Sequence, residues 1–394
     1  MQANLTDETF LIRALELARA GIGLASPNPY VGAIIADAQG DIVGTGTYTY
    51  AGVKHAEILA LEAAGEKARG GTLYINLEPH AHQGRTPPCT EALIAAGIRR
   101  VVASMPDPNP KVSGRGFAQL RAAGVQVEVG GLETEARKLN EAFARYVRSG
   151  VPFVTLKSAM TLDGKIAPSP RITARENAEN KFSGSWITGE LARAHVHDLR
   201  HQHDAILAGV GTILADNPLL TDRSGRARRR PLLRVILDSR LRLPLDSRLL
   251  ESVARGRGSE NPVNDILIFY SSAPEQKKLQ LQQLGIRVEQ IAAHEPEHRP
   301  DLRAVLRRLG ELEITSVMIE GGSTVNGAAL SAGVVDKVFL YYAPTILGNA
   351  NAIPFVASER FDGMKQAAQV KHVDLQHFGE DFALEGYLRD PYGE

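Results

Sequence analysis

Three side chains that can hold a metal ion, together with a nearby carboxylate, stand in the first third of the chain. The ligand types are the imidazoles of His55 and His80 and the thiol of Cys89. Zinc with three protein ligands keeps one position open for water, and the metal lowers the pKa of that water. Glu57 follows His55 by two residues and can carry protons between the water and a leaving amine. The pattern predicts hydrolytic deamination of a nucleobase-like ring.

The specificity of this pattern comes from the combination of segments. A His-x-Glu segment alone is more often a surface pair, but a Pro-flanked cysteine downstream at Pro87–Cys89 strengthens the deaminase interpretation. The N-terminus of the following helix is expected to lower the pKa of Cys89. The usual second ligand of such sites is a cysteine, whereas this chain has His80. A set of two imidazoles and one thiolate remains chemically reasonable for zinc.

A second set of residues indicates a nucleotide-binding site in the C-terminal half. Glu320–Thr324 follows a predicted strand and opens a predicted helix, and its glycines let the backbone approach a diphosphate. A plain strand-to-helix turn explains this motif equally well. Gly209–Thr212 offers another close-approach loop, but the motif is not a full GxGxxG, so a Rossmann domain is not indicated. The lone Trp186 is either a core residue or a cofactor contact.

The composition sets the frame for both sites. The chain has 394 residues, 45 Lys and Arg against 45 Asp and Glu, and a single cysteine. The length suggests two or three domains, and the neutral charge argues against a dedicated nucleic-acid binder. No intrachain disulfide can form, and no apolar run reaches the ~20 residues of a membrane span. We expect a cytoplasmic protein that neither binds nucleic acid nor enters a membrane.

The elements that must position these residues follow from hydrophobic periodicity. In the N-terminal part helices and strands alternate, ending in one long helix at Glu133–Arg148. Ser149–Pro152 contains Gly and Pro and marks a boundary. A second alternating series follows, and no internal repeat is visible. We therefore predict an α/β chain with two domains, at 1–148 and 149–394, which would carry the two sets of site residues. Strands are predicted at Tyr30–Ala36, Ile42–Thr47, Thr72–Leu77, Val101–Ser104, Val125–Val129, Phe153–Ala159, Ala205–Gly209, Leu233–Asp238, Asp265–Tyr270, Val317–Glu320 and Lys337–Tyr342.

The N-terminal motifs resemble the bifunctional riboflavin-biosynthesis deaminase/reductase family. They are Ser26–Gly32, His55–Glu57, Leu77–Pro79, His82–Cys89 and Asp107–Pro110. The resemblance implies a cytidine-deaminase-like α/β/α sandwich, in which His55 and Cys89 bind zinc and Glu57 is the proton shuttle. His80 falls on the position of the family's first zinc cysteine. His82 is a competing ligand, although it matches a position in the substrate pocket. Asn28, His82 and Arg85 are the expected substrate contacts.

The C-terminal motifs resemble the reductase half of the same family, which implies a dihydrofolate-reductase-like fold and NADPH. The motifs are Pro152–Lys157, Leu162–Ala167, Trp186–Gly189, Leu199–Arg200, Asp204–Leu207, Gly209–Thr212, Ala215–Arg223, Asp238–Ser239 and Glu320–Ser323. By resemblance, NADPH contacts are Ala159, Trp186, Thr212, Asp216, Ser239, Gly321, Gly322, Ser323 and Thr324. The implied substrate contacts are Ser185, Arg200, Leu220, Arg223 and Glu320. For the reductase acid, Lys157, Asp216 and Glu320 are candidates.

These observations lead to one principal hypothesis and two rivals. The principal hypothesis is zinc-dependent deamination of 2,5-diamino-6-ribosylamino-4(3H)-pyrimidinone 5′-phosphate, followed by NADPH-dependent reduction of the ribosyl chain to ribityl. The first rival is a reductase with a catalytically degenerate deaminase domain, and it rests on His80. The second is a nucleic-acid-editing deaminase, which the neutral charge disfavours; the basic run Arg226–Arg230 is expected to be solvated. The resemblance also suggests a homo-oligomer.

Overall fold

The computed structural model describes residues 6–81, 88–169, 186–256, 265–294, 298–357 and 363–393. The chain forms two compact units. The first contains Met1–Gly150 together with Ala227–Arg230, and the second contains Val151–Arg226 and Pro231–Glu394. Among the described residues, no helix is both long and apolar enough to cross a bilayer.

A five-stranded sheet forms the centre of the first unit. Its strands are β1 (Gly32–Ala36), β2 (Ile42–Thr47), β3 (Thr72–Ile75), β4 (Arg100–Ala103) and β5 (Gln126–Val129), in the order β2-β1-β3-β4-β5. β1 is antiparallel to both neighbours, whereas β3, β4 and β5 are parallel. All five residues of β1 are buried, because it is a central strand with both faces covered.

Helices cover both faces of this sheet. A Cβ on Gly32 would lie 2.2 Å from the carbonyl oxygen of Ala14, so helix Asp7–Arg19 packs on that face. A Cβ on Gly46 would lie 2.0 Å from Ala56 O, so helix Ala56–Ala64 packs on the face of Gly46. Gly46 pairs with Ala33, and successive strand residues point to opposite faces. The two helices therefore lie on opposite sides, which makes a three-layer sandwich.

The C-terminal helical region of the first unit differs from the prediction. The single helix predicted at Glu133–Arg148 is wrong, because Asn140 divides it into Glu133–Leu139 and Glu141–Ser149. The Asn140 side chain is fully buried, accepts a hydrogen bond from Tyr30 N and donates one to Tyr30 O. The break thus serves a tertiary contact that hydrophobic periodicity does not reveal. The other helices of this unit are Cys89–Ala95 and Arg115–Ala122.

The second unit is built on a nine-stranded mixed sheet. Its strands are β6 (Phe153–Thr161), β8 (Ala205–Gly209), β9 (Leu233–Leu237), β10 (Ile266–Tyr270), β11 (Arg287–Gln290), β14 (Ser316–Ile319), β15 (Lys337–Ala343), β17 (Lys371–Phe378) and β18 (Asp381–Tyr387). Two further pairs are separate from this sheet: β7 (Lys165–Ala167) with β16 (Ile353–Pro354), and β12 (Ala293–His294) with β13 (Arg299–Pro300). The order in the large sheet is β11-β10-β9-β8-β14-β6-β15-β18-β17. The run from β11 to β15 is parallel, and β18 and β17 add antiparallel strands at one edge.

The helices of the second unit connect the parallel strands. They are Glu190–Gln202, Val210–Asp216, Arg248–Gly256, Glu275–Gln283, Leu302–Glu311 and Ser323–Ser331. Apolar side chains form two large clusters, one including Ile206, Ile236 and Met318, the other Leu207, Val235 and Val317. Consecutive strand residues thus contribute to different clusters, as expected for a parallel sheet buried on both faces.

Candidate active sites

Helix Ala56–Ala64 positions two of the predicted deaminase residues. His55 is its N-cap residue, and the imidazole makes no capping hydrogen bond, so it points away from the helix amides. Glu57 lies in the first turn and is only 3% exposed. Burial raises the pKa of the Glu57 carboxyl, and the nearby His55 opposes this shift. Glu57 is thus a buried group whose protonated form is favoured by its surroundings.

The other two predicted ligands follow the carboxyl end of β3. His80 is half-buried in the segment after that strand, and Cys89 is the first residue of helix Cys89–Ala95 and is fully buried. His55 Nδ1 lies 3.0 Å from Cys89 Sγ, and the rings of His55 and His80 have centroids 4.9 Å apart. One donor atom from each of the three residues lies within 4.8 Å of the others. The structure therefore brings His55, His80 and Cys89 together.

The thiol of Cys89 behaves differently from the prediction. The helix N-terminus was expected to lower its pKa, but burial raises it, and the Glu57 carboxylate raises it further. The expected lowering of the Cys89 pKa is therefore wrong for the protein without a bound metal ion. A divalent cation would supply the positive charge that stabilises a thiolate. Two imidazoles and one thiol within reach of a common point fit zinc, which accepts both ligand types and a fourth position for water.

His55, Glu57 and His80 line a cavity of about 260 Å³ in the first unit. Asn28 lines it and donates a hydrogen bond from Nδ2 to the hydroxyl of Tyr48. The Tyr48 ring in turn meets His55 edge-on, with centroids 5.6 Å apart and an interplanar angle of 89°. Asn28 is thus held beside the ligand cluster. A polar amide in a largely apolar cavity is suited to orient a heterocyclic ring.

Sequence reasoning missed several cavity residues. Glu78, Asp107 and Asn109 line the cavity, as do Tyr48 and Phe143. Burial raises the pKa of Asp107 to about 6, and the charge of Glu78 adds to this. The motif Asp107–Pro110 was noted without a role for its residues. Topology could have identified these residues. Glu78 follows the carboxyl end of β3, Asp107 and Asn109 follow that of β4, and the two strands are parallel neighbours.

The second unit collects its predicted cofactor residues at the carboxyl edge of the parallel strands. Ser239 follows β9, Thr212 follows β8, and Gly321 and Gly322 follow β14, all from adjacent strands. Ala159 lies on the next strand, β6. The predicted loop at Gly209–Thr212 is instead the start of helix Val210–Asp216, because β8 passes directly into it. The edge is the usual ligand crevice of an open α/β sheet.

The start of helix Ser323–Ser331 has the features of an anion cradle. Its N-cap is Gly322, which offers no side-chain cap. Ser323 is buried, and its Oγ has no hydrogen-bond partner among the described residues. Thr212 Oγ1 is 3.7 Å from where a Cβ on Gly322 would be, so the two helix starts adjoin. Backbone amides and hydroxyls in this arrangement fit the diphosphate of a nicotinamide cofactor.

A buried charged network lies beside this edge. Arg200 holds both oxygens of Glu320, with Nε at 2.7 Å and Nη2 at 2.9 Å, and Lys157 Nζ is 3.8 Å from Glu320 Oε2. Burial alone would raise the pKa of Glu320, but Arg200 and Lys157 lower it to about 2. Burial also lowers the pKa of Lys157. Arg200 and Lys157 thus pair with Glu320, and the charge of Asp222 also acts on Arg200.

The remaining predicted residues are more dispersed. Arg200 donates to the carbonyl of Thr221, which fixes the segment that contains buried Leu220 and exposed Arg223. Asp216 and Trp186 are exposed, and the Arg193 guanidinium lies over the Trp186 ring at 5.1 Å. Thr324 is exposed in the first turn of its helix. His82, Arg85 and Ser185 lie outside the described residues.

The basic run at Arg226–Arg230 is only partly solvated, which corrects the prediction. Arg226 is exposed, but Arg228, Arg229 and Arg230 are half-buried. The Arg229 guanidinium covers the ring of Tyr50, with its carbon 3.3 Å from the ring centroid, and it donates to the carbonyl of Ser26. These contacts place Ala227–Arg230 with the first unit. Stacking on an aromatic ring is a structural use of arginine that composition does not distinguish from a solvated loop.

Two family models match this chain, one in each of the two compact units. Residues 5–105 match the cytidine and deoxycytidylate deaminase zinc-binding region, and residues 152–384 match the RibD C-terminal domain. The chain thus combines a deaminase domain of a zinc-binding class with a reductase domain. It is a bifunctional enzyme of the hydrolase and oxidoreductase classes.

Full-length relatives give the particular family. The chain is 40% identical to the riboflavin biosynthesis protein RibD of Actinobacillus pleuropneumoniae over 98% of this chain and 97% of that protein. The structure of RibD from Acinetobacter baumannii is 35% identical with a TM-score of 0.80, covering 97% of this chain and 98% of that one. A Thermotoga maritima diaminohydroxyphosphoribosylaminopyrimidine deaminase/5-amino-6-(5-phosphoribosylamino)uracil reductase is 36% identical with a TM-score of 0.77 and the same coverage. The chain belongs to the RibD family of riboflavin biosynthesis proteins.

Proposed function

We propose that this chain deaminates 2,5-diamino-6-ribosylamino-4(3H)-pyrimidinone 5′-phosphate and then reduces the ribosyl group of the product to ribityl. The observation that carries the first step is the convergence of His55, His80 and Cys89, with His55, His80 and buried Glu57 lining one cavity. In this proposal His55, His80 and Cys89 hold zinc, and Asn28 orients the pyrimidine. The substrates correspond to the activities named for the Thermotoga maritima relative.

Proton transfer in the deamination falls to Glu57. Zinc, when bound at these ligands, would make water a stronger acid and thus a nucleophile near neutral pH. Glu57 accepts a proton from the attacking water as the carbon–oxygen bond forms. It returns a proton to the exocyclic amine as the carbon–nitrogen bond breaks and ammonia leaves. The raised pKa of this buried carboxyl favours the protonated form that the second transfer requires.

The reduction is assigned to the carboxyl edge of the parallel sheet in the second unit. NADPH, when bound there, supplies the hydride. Ala159, Thr212, Ser239 and the 321–324 segment are proposed to hold it, with exposed Trp186 and Asp216 as peripheral contacts. The phosphorylated sugar is proposed to contact Arg200, Leu220, Arg223 and Glu320. The guanidinium groups of Arg200 and Arg223 suit a phosphate because they can bind its oxygens in a bidentate manner.

Among the candidate reductase acids, the geometry favours Lys157. Glu320 has a pKa of about 2, so it is ionised at neutral pH and has no proton to give. Desolvation raises the pKa of Asp216, but its side chain is exposed at the end of helix Val210–Asp216 and lies outside the Arg200–Glu320–Lys157 network. Lys157 is buried next to Glu320, and burial lowers the pKa of its ammonium, which makes the proton easier to transfer. We therefore assign proton donation to Lys157.

The cellular setting follows from the same features. We place the enzyme in the cytoplasm, because its single cysteine fits a reducing compartment. We take small phosphorylated pyrimidines, not nucleic acid, as its substrates, because the net charge is zero. The homo-oligomer stays a prediction.

The rival hypothesis, a reductase with a degenerate deaminase domain, depends on His80 being unable to serve as a ligand. The position of its ring beside His55 and Cys89 favours the working site.

The experiment that tests this proposal separates the two activities in one protein. Glu57→Gln should reduce ammonia release from the diaminopyrimidine by about 10²–10⁴-fold, the usual contribution of a positioned acid–base group. Reduction of the deaminated substrate with NADPH should be unchanged. Glu62→Gln is the matched control, because Glu62 is on the same helix but exposed and paired with Lys54. Equal deamination by Glu57→Gln and wild type would refute the role of Glu57.

A further inference from the structure

Glu78 is a buried carboxylate in the deaminase cavity that no role above uses. It is 5% exposed, and it lies two residues before His80 in the segment that follows β3. Glu78 thus lines the same cavity as Glu57 and Asp107. The hydrogen bonds of Glu78 distinguish it from Glu57.

Both oxygens of Glu78 accept hydrogen bonds from backbone amides of one other segment. Oε2 accepts from Asp107 N at 3.0 Å and Gly114 N at 2.8 Å. Oε1 accepts from Gly116 N at 2.8 Å and Phe117 N at 3.3 Å. These four hydrogen bonds tie the Glu78 carboxylate to the backbone of that one segment.

The segment that Glu78 binds forms a wall of the cavity. It runs from the end of β4 into helix Arg115–Ala122, and Asp107, Asn109 and Val112 face the cavity. The helix N-cap is Gly114, which has no side-chain oxygen, so the carboxylate of Glu78 replaces the missing cap. A single side chain thus fixes both ends of the segment.

The contact is also sterically tight. A Cβ on Gly116 would lie 2.0 Å from the carbonyl oxygen of Pro79 and 3.1 Å from Glu78 Oε1. Any other residue at position 116 would push the cavity wall away from the segment that carries His80. The wall and the ligand segment are therefore held together by shape as well as by charge.

We propose that Glu78 is a positioning residue that fixes the 107–116 segment as the substrate-binding wall of the deaminase cavity. The inference rests on the proposed function for the identity of the substrate. Its loss should weaken substrate binding without removing the metal or the proton carrier. The expected signature is a raised KM for deamination with a small change in kcat, the opposite of Glu57→Gln.

The test compares Glu78→Gln with wild type and with Glu91→Gln, an exposed carboxylate on helix Cys89–Ala95. Glu78→Gln should raise KM about tenfold or more, keep kcat within about threefold, and speed hydrogen exchange of the amides of 107–117. Zinc content should match wild type. A fall in kcat with unchanged KM, or unchanged amide exchange, would overturn the proposal.

Gly116→Ala gives an independent route to the same result. It disturbs the wall from the opposite side and leaves the Glu78 carboxylate in place, so the same rise in KM is expected. If Glu78→Gln does not fold, this variant decides the question, and an unchanged KM would refute the proposal. Amide exchange at 107–117 tests the role of Glu78 even if the wild-type protein releases no ammonia. A failure of the proposed deaminase function can therefore be distinguished from a failure of the proposed role of Glu78.

Discussion

The two candidate sites differ in how their charged groups are paired. In the deaminase unit, His55, His80 and Cys89 converge beside Glu57, and burial raises the pKa of both Cys89 and Glu57. In the reductase unit, Arg200, Lys157 and Glu320 already compensate one another, and the pKa of Glu320 is low. The first site is the one that we propose a metal cation completes. In the second, the protein's own side chains already pair the charges.

The largest effect should come from breaking the compensated network. Glu320→Gln leaves Arg200 and Lys157 buried without their carboxylate, and we expect the reductase unit to lose about 3–5 kcal/mol of unfolding free energy at pH 7. Calorimetric unfolding measures this. Glu311→Gln is the control, because Glu311 pairs with Arg308 at the surface. A loss below that of the control would show that the network is not stabilising.

The pH dependence of the same variant gives a second measurement. The folded pKa of Glu320 is about 2, below its ordinary 4.5, so its stabilisation is complete above pH 4.5 and disappears as the pH falls towards 2. The difference in stability between wild type and Glu320→Gln should therefore shrink over that range. A constant difference would contradict the charge compensation.

The uncompensated site should be sensitive to loss of its one thiol. Cys89→Ala removes a ligand, and zinc affinity should fall by more than the roughly 10–100-fold that an indirect contact costs. Competition with a chromophoric chelator measures the affinity. Thr90→Ser, a conservative change at the next buried position of the helix, controls for packing. If both variants retain zinc equally, Cys89 is not a ligand.

A smaller change should follow from His80→Cys. This variant adds a second thiolate, which favours soft metals, so cadmium should bind more tightly relative to zinc than in wild type. In the cobalt-loaded protein the sulfur charge-transfer absorption should roughly double, in proportion to the number of thiolates. An unchanged spectrum would place residue 80 outside the ligand set.

The smallest effect is expected at the exposed edge of the reductase site. Trp186 is the single tryptophan and is 75% exposed. NADPH should quench its fluorescence, and Trp186→Ala should weaken binding by roughly 0.5–1.5 kcal/mol, with Trp186→Phe nearer to wild type. Unchanged fluorescence at saturating NADPH would remove Trp186 from the cofactor site.

The sequence predicted the parts of the fold that depend on local pattern. Ile42–Thr47 and Ala205–Gly209 were predicted with the bounds that the structure shows, because apolar runs bounded by turn residues are strong strand signals. The break at Asn140 was missed, since it depends on hydrogen bonds to distant Tyr30. Strand Lys371–Phe378 was missed because it is a largely exposed edge strand with charged residues and histidines.

The sites show the same limit. The three ligand types and Glu57 could be chosen from residue chemistry and motif resemblance, and the structure brings them together. The hydrogen bonds of Glu78 and the stacking of Arg229 on Tyr50 could not be predicted from the sequence, because each contact joins segments far apart in the chain. The effect of burial on the pKa of Cys89 was also beyond local reasoning, since a helix start gives no measure of burial.

The most direct test of this account is the zinc content of the protein purified without chelator. Elemental analysis should find about one zinc per chain in wild type, as a site with three protein ligands requires, and far less in His80→Ala. That result would support His80 as a working ligand and the two-step activity. Zinc-free wild type that still binds NADPH would contradict the account and leave a reductase with an inactive deaminase unit.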